Sequence, residues 1–314
     1  MAEPTQALPK ISVVVPVYNG EATIRTCVEA ILGLDYPREL LQTFIVDNRS
    51  TDGTRRVLDG YPVTVLEETK TQSSYAARNL GIRHSTGDIV AFTDADCVPE
   101  RSWLRAIVTA IAPAEVGGVA GAIEAFRADS PVERYQARRA IRADRAYQHK
   151  VLPFAQTANA AYKREVFERI GLFDPTLIYG GDLDFSWRMQ SGGGLRLVYE
   201  ALAFVWHRHR TTYRGLFGLY EKNAIANCLL SQRYRHYETY PQLRTFLYLS
   251  RELLRSGLRS AFPRRDEGNS ALDAVRYAGE AWGWLRWQVG AVTLPPRGAA
   301  VPRLAGSQLG GLAE

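Results

Sequence analysis

Residues 86–99 read TGDIVAFTDADCVP, and this stretch decides the fold. Ile89-Val90-Ala91-Phe92-Thr93 is a short apolar run with the length and branching of a strand buried on both faces. It ends in Asp94-Ala95-Asp96, so two carboxylates stand at the mouth of a sheet. Carboxylates held close together repel unless a cation lies between them. A hard divalent ion that also takes substrate phosphates suits such a pair. An ordinary acidic loop after a strand has the same local sequence, so the surrounding chain has to decide.

Upstream, strand-like and helix-like segments alternate. Ile11–Val17 is β-branched and nearly continuous. Residues 21–32 place Ile24, Val28, Ile31 and Leu32 on one helical face and stop at Gly33. Phe44-Ile45-Val46 is a second strand, closing on Asp47-Asn48, and Ser50-Thr51-Asp52-Gly53 reads as a turn with a helix N-cap. Val63–Leu66 is a third strand, and 73–84 a short helix. Such alternation predicts a parallel sheet covered on both faces. Ligands in open sheets of this kind bind beyond the carboxyl ends of the strands. The polar clusters Tyr18-Asn19, Asp47-Asn48 and Asp94-Asp96 lie at those ends. Neither a Gly-x-Gly-x-x-Gly after the first strand nor a Gly-x-x-x-x-Gly-Lys-Ser/Thr is present, which argues against dinucleotide dehydrogenases and P-loop enzymes.

Beyond residue 113 the pattern changes. Strands are expected at 116–126, 157–162, 195–199 and 203–206, and helices at 131–147, 164–170 and 182–190. From about 212 the chain reads mainly as helix. Residues 1–9 and 295–314 are expected to be disordered tails.

The bulk numbers bound the class. The 314 residues are 46% hydrophobic and 23% charged, ordinary for a globular protein. Cys27, Cys97 and Cys228 lie far apart without metal-ligand spacing and fit a reducing compartment. The start MAEPTQALPK has no basic and apolar regions of a signal peptide, and no run approaches a membrane span. A cytoplasmic protein is expected. The net charge of +6 is uneven: residues 1–204 carry 23 basic and 25 acidic side chains, residues 205–314 carry 16 and 8. A basic end of this kind is a solvated helical surface or a contact for an anionic partner.

Six stretches in order carry a family likeness. VVVPVYNGEATI (13–24), IVDNRSTDGT (45–54), ARNLGI (77–82), TGDIVAFTDADCVP (86–99), TANAAYKREVFERIGLFD (157–174) and GGDLDFSWRMQ (180–190) resemble the inverting glycosyltransferases of family two. The resemblance runs from about residue 10 to about 212. It implies the α/β fold called GT-A: a mostly parallel, Rossmann-like sheet with helices on both faces, here with a helical C-terminal extension. It implies a catalytic domain over 10–212, with a nucleotide-binding half at 10–112 and an acceptor half at 113–212, followed by a helical region at 213–294.

The resemblance also implies site roles. Pro16, Tyr18 and Glu21 match the loop that holds base and ribose, and an aromatic ring such as Tyr18 can stack on a base. Asp47-Asn48 matches a base-reading pair in which Asp-Asp is commoner. Asn48 still offers an acceptor to a pyrimidine N3–H. The donor is therefore expected to be a UDP-, dTDP- or GDP-sugar. Arg78 matches a residue near the pyrophosphate. Asp94 matches the residue nearer the ribose, and Asp96 the metal ligand. His207, with His209 as its rival, stands where many members place a further metal-site residue. The metal would be manganese or magnesium. Asp182 matches the general base, with Asp184 the weaker candidate; Gly181 replaces the Glu usual before it. The Gln-x-x-Arg-Trp motif of polymerising members is missing, which points to transfer of one or a few sugars. The acceptor would be a saccharide, a lipid-linked or a small-molecule hydroxyl compound, with no nucleic acid.

Two readings compete from other classes. A nucleotidyltransferase shares paired carboxylates on a parallel sheet but usually has a Gly-rich, basic phosphate loop near its start. A non-catalytic nucleotide-sugar-binding protein would keep the cleft and lose Asp182. At 244–262, a helical wheel gathers Phe246, Leu247, Leu249, Leu253, Leu254 and Leu258 into one broad arc, with Arg244, Arg251, Arg255 and Arg259 opposite, and Trp282, Trp284, Arg286 and Trp287 cluster further on. Residues 244–290 therefore either dock an anionic membrane surface, making the protein peripheral on the cytoplasmic face, or pack on the catalytic domain with solvated arginines.

Overall fold

A computed structural model describes residues 7–139, 143–177, 179–234, 242–261 and 270–290. The expected tails fall outside it except for residues 7–9, where the Pro9 carbonyl accepts the Tyr36 hydroxyl at 2.5 Å.

Eight strands form one sheet: β1 (Ile11–Val17), β2 (Leu41–Asp47), β3 (Thr64–Glu67), β4 (Ile89–Thr93), β5 (Cys97–Pro99), β6 (Val116–Ala125), β7 (Asn159–Lys163) and β8 (Arg196–His207). Their order is β3-β2-β1-β4-β7-β6-β8-β5. The pairs β1/β2, β1/β4, β2/β3 and β6/β8 are parallel; β4/β7, β6/β7 and β5/β8 are antiparallel. The first half is thus the expected parallel unit. The antiparallel strand β7 joins it to the second half.

The helices are α1 (Ile24–Leu32), α2 (Thr54–Leu58), α3 (Ser74–His84), α4 (Trp103–Ile111), α5 (Pro131–Arg139), α6 (Ala143–Tyr147), α7 (Arg164–Ile170), α8 (Gly181–Ser191), α9 (Tyr213–Arg233), α10 (Gln242–Ala261) and α11 (Ser270–Gln288). Every residue of β1 is buried because both sheet faces are covered. Ile11, Val13, Val15 and Val17 pack with α1 and α4 on one face, while Val14 packs with α3, α7 and α8 on the other. Alternate side chains of a strand point to opposite faces, so a doubly covered strand has to be apolar throughout.

Three details depart from the sequence reading. The two strands expected at 195–206 are one strand, β8, whose register against β6 jumps between Glu200 and Phe204. The irregularity leaves Leu202 exposed while Ala203 stays buried, which interrupts the strand pattern in the sequence. The helix α4 was not anticipated, although Trp103, Leu104, Ile107 and Ile111 have helical spacing and are all buried. The capping side chain expected at 50–53 is absent from α2, whose N-cap is Gly53; Asp52 instead accepts the Thr54 amide at 3.0 Å.

Asn159 fixes the seam between the halves. Its amide donates to the carbonyls of Ala122 at 2.7 Å and Ala203 at 2.8 Å, and its oxygen accepts the Trp103 indole N–H at 2.8 Å. A buried polar group is retained at such a place only when every bond is made. No helix among the described residues is long and apolar enough to cross a membrane.

Candidate active site

The loops after β1 and β2 are held to each other before any ligand is considered. Asn19 and Arg49 both adopt left-handed backbone conformations, with φ of 51° and 68°. Asn19 tolerates this because its side chain bonds locally: its oxygen accepts the Thr51 amide at 2.8 Å, and its own amide donates to Ser50 Oγ at 2.9 Å. The Gly20 amide reaches Thr54 Oγ1 at 2.8 Å. Glu21 accepts the Gly53 amide at 3.0 Å, and buried Asp47 accepts the Ser50 amide at 3.0 Å. Of the residues expected to meet the nucleotide, Glu21 and Asp47 therefore brace these loops and do not line the cleft.

The cleft they shape has a volume of about 690 Å³ and is lined by Pro16, Tyr18, Asn48, Arg78, Asp94 and Asp96, among others. Tyr18 is 56% exposed, with a free ring face. Asn48 Nδ2 donates to the carbonyls of Glu68 at 3.0 Å and Thr71 at 2.8 Å. With both N–H groups spent, the side chain presents only its oxygen to a ligand.

At the end of β4 the two aspartates have different partners. Asp94 Oδ1 takes the guanidinium of buried Arg78 at 2.5 Å. Asp96 Oδ1 lies 3.6 Å from His207 Nε2, which the β5/β8 pairing carries opposite Cys97. Asp96, Cys97 and His207 offer ligand atoms within 4.8 Å of one another. Burial pushes the Cys97 thiol well above its ordinary pKa, so it is a poor thiolate donor. The remaining oxygen and imidazole donors fit a magnesium- or manganese-type ion. Burial also holds the Asp96 carboxyl above its ordinary pKa, with His207 opposing and Asp94 adding to the rise. A bound cation removes that penalty.

His209 is the immediate neighbour of His207: their Nδ1 atoms lie 3.3 Å apart, and it is His209 that lines the first cleft. Burial, then His207, pushes the pKa of His209 down to about 4. A neutral His209 can fix the tautomer of His207 and leave Nε2 directed at Asp96.

A second cleft of about 520 Å³ adjoins the first, and Ser74, Arg78, Asp94, Tyr179 and Lys222 line both. Asp182 stands in its wall, in the first turn of α8. Its Oδ1 accepts the Leu183 amide at 2.9 Å and the Tyr75 hydroxyl at 3.4 Å. Burial raises the Asp182 pKa above the ordinary carboxylate value, while the Leu183 amide and Arg78 pull it back. A carboxylate so placed can accept a proton from a group in the cleft.

The structure also accounts for Gly181 where the resemblance leads one to expect Glu. A Cβ there would come within 2.8 Å of the Tyr75 ring. The missing side chain is what lets Tyr75 reach Asp182. Asp184, two residues on, is fully buried and lines neither cleft. It binds Arg188 Nε at 2.9 Å, Arg233 Nε at 3.0 Å and the Tyr234 hydroxyl at 2.6 Å. It ties α8 to the end of α9.

Several lining residues escaped the sequence reading: Tyr75, Gln156, Arg208, Arg210, Lys222 and Asn223. The face of α9 that carries Leu219, Lys222, Asn223, Ala226, Asn227 and Leu230 closes the second cleft. Its 3- and 4-residue spacing was readable as a helix face, but not what that face would cover.

The family model for glycosyl transferase family 2 matches residues 12–171. Among curated proteins, the chain is 34% identical over 196 residues to glycosyltransferase AglE of Haloferax volcanii, covering 60% of this chain and 64% of that one. It is 30% identical over 213 residues to the pre-mycofactocin glycosyltransferase of Mycobacterium tuberculosis, covering 65% and 44%. The chain thus spans less than two thirds of either relative's length. Among solved structures, the mannosyltransferase PcManGT from Pyrobaculum calidifontis, in complex with GDP-Man and Mn2+, superposes with a TM-score of 0.62 at 23% identity, over 90% of this chain and 87% of that one. Glucosyl-3-phosphoglycerate synthase of Mycobacterium tuberculosis, with Mn2+, UDP and phosphoglyceric acid, gives 0.53 at 22% identity, over 71% and 78%. The fold is that of these GT-A enzymes, and the chain belongs to glycosyl transferase family 2.

Proposed function

We propose that this protein transfers a sugar from a nucleoside diphosphate sugar to an acceptor hydroxyl with inversion at the anomeric carbon. The observation that carries the proposal is the junction of the two clefts. Arg78 and Asp94 line both, and Asp182 faces the second from across that junction. A donor in the first cleft and a hydroxyl in the second would meet there.

Inversion needs in-line attack opposite the leaving diphosphate. Asp182 accepts the hydroxyl proton as the new bond forms, help worth roughly 10²–10⁴-fold. The Tyr75 hydroxyl and the Leu183 amide hold its carboxylate in place. Arg78, anchored on Asp94, keeps positive charge beside the diphosphate. Asp96 and His207 would hold a magnesium or manganese ion, which when bound takes diphosphate oxygens and offsets their charge. Tyr18 stacks on the base. Asn48, restricted to accepting, favours bases with a ring N–H at the reading edge, namely uracil, thymine and guanine. The GDP-mannose and UDP complexes of the structural neighbours fall within that set.

The test is release of nucleoside diphosphate from UDP-, dTDP- and GDP-sugars upon acceptor addition, with the product's anomeric configuration read by NMR. Release of pyrophosphate would favour a nucleotidyltransferase. Binding without release would favour a non-catalytic receptor.

A second observation favours contact with an anionic membrane surface. The apolar arc expected on α10 is split. Leu249 packs inward, whereas Leu247, Leu254 and Leu258 are 54–65% exposed along one ridge. Arg251 and Arg255 flank that ridge, sharing Glu252 at 3.0 and 3.2 Å. Trp282 and Leu285 of α11 and Val289 just after it are exposed as well. The side chains of Arg244 and Phe246 lie outside the described residues. Exposed leucines beside arginines suit a helix lying in a membrane interface. Co-sedimentation with anionic liposomes at low salt, lost on Leu254→Glu plus Leu258→Glu, is the expected result; failure of the unaltered protein to co-sediment would remove this reading.

A further inference from the structure

The seam between the two clefts holds more positive charge than the donor needs. Four cations line the first cleft: Arg78, Arg208, Arg210 and Lys222. Two carboxylates, Asp94 and Asp96, stand against them. Arg78 is committed to Asp94. Arg208 lies over the Phe126 ring at 4.0 Å, and its Nε is buried without a partner. Arg210 lies near enough to Asp96 to favour its charged form and near enough to Lys222 to disfavour that one. None of Arg208, Arg210 and Lys222 has a carboxylate within ion-pair distance among the described residues.

The two cations left over by Asp94 and Asp96 match the charge of one diphosphate. A divalent ion at Asp96 leaves that match in surplus. Like charges are held together at a cost unless an anion arrives between them.

Lys222 is the cation placed to use the surplus. It is carried by α9, lines both clefts and sits 5.7 Å from the Tyr179 ring centroid. Asn223, next to it, lines only the second cleft. Partial desolvation, then Arg210, lowers the Lys222 pKa. An anion beside it would offset the like charge of Arg210. Across the same cleft stands Gln156, whose Oε1 is buried without a partner. A ligand hydroxyl in the second cleft would meet Gln156 as a polar neighbour.

We propose that the acceptor carries a phosphate group that Lys222 binds at the seam of the two clefts, within a few bonds of the hydroxyl that attacks. The inference rests on the glycosyl-transfer reading and narrows its acceptor to a hydroxylated phosphate ester. The ester is either a free small molecule or a lipid headgroup.

The experiment titrates probes into protein saturated with UDP, dTDP or GDP, whichever binds, and Mg2+. Glycerol phosphate and octanoyl glycerol phosphate are compared with glycerol and octanoyl glycerol. The phosphate probes should bind at least about tenfold tighter than their neutral counterparts, as charge-assisted contacts require. Lys222→Gln should abolish that preference and leave nucleoside diphosphate affinity within about threefold; Lys222→Arg should restore it. Tighter binding of the octanoyl probe identifies a lipid source, and equal binding a soluble one.

Loss of nucleoside diphosphate affinity in Lys222→Gln, with the phosphate preference intact, would assign Lys222 to the donor and overturn the proposal. So would phosphate binding that appears only when the nucleotide is absent. Nucleotide binding with no phosphate preference sinks this inference alone. Failure of all three nucleotides to bind sinks the glycosyl-transfer reading with it.

Discussion

The two clefts differ in how they are made. The first is built at strand ends: β1 delivers Tyr18, β2 delivers Asn48, and β4 delivers Asp94 and Asp96. The direction of a parallel strand dictates where its last residues go. The second cleft is built from helices far apart in sequence. Tyr75 of α3 meets Asp182 of α8 across 107 residues, and α9 closes the wall. Nothing local dictates such a meeting. The difference teaches that a cleft at strand ends can be read from strand termini, whereas a cleft between helices depends on which helix faces come together.

Asp182 and Asp184 repeat the comparison within one turn of helix. One faces the cleft with a loose hydroxyl contact; the other is buried against Arg188, Arg233 and Tyr234. Residues two apart on a helix point in different directions. Here one position faces the cleft and the other holds α8 to α9.

The largest effect is expected on the first cleft. Asp96→Ala should lower turnover by about 10³-fold, and the gain in nucleoside diphosphate affinity on adding Mn2+ should vanish in titrations with and without EDTA. Undiminished turnover in EDTA would remove Asp96 from any metal role.

Next comes the anchoring of α9. Arg233→Met strips Asp174 and Asp184 of a shared partner, now at 2.6 and 3.0 Å, and should cost about 3 kcal/mol of folding stability. Folded protein should still bind nucleoside diphosphate normally. A melting temperature unchanged within error would mean that the buried cluster contributes little.

A smaller effect should separate positioning from structure. Tyr75→Phe removes the hydroxyl 3.4 Å from Asp182 and should lower kcat about tenfold. Losing a donor to the carboxylate raises its pKa further, so the acidic limb of the kcat profile should move to higher pH. A drop in kcat with an unmoved limb would assign Tyr75 a purely packing role.

Much of the donor side was legible. Continuous apolar runs named the parallel strands, because burial on both faces admits little else. The aspartates at the end of β4 stand out in the sequence, and the β5/β8 pairing explains why a residue as distant as His207 approaches Asp96. Other features were hidden by their dependence on tertiary contacts. The resemblance assigns Glu21 and Asp47 to the nucleotide; that each also accepts a loop amide could not be told before folding. Gly181 looked like a defect until Tyr75 filled the space of its missing side chain. On α10, the wheel gave one apolar arc; only the packing of Leu249 shows which part of it faces outward.

The most direct test of the account is Asp182→Asn, measured for nucleoside diphosphate affinity, kcat and stability together. Burial raises the Asp182 pKa, so the folded state favours its protonated form. The stability this group contributes is present below the ordinary carboxylate pKa and lost as pH rises through the raised value. Above the raised value the charged carboxylate is a cost that Asn removes. The account predicts a melting temperature unchanged or raised, nucleoside diphosphate affinity within about threefold, and kcat lower by at least about 10²-fold. Turnover within a few-fold of the unaltered protein, or loss of nucleotide binding in step with turnover, would contradict the division of labour between the two clefts.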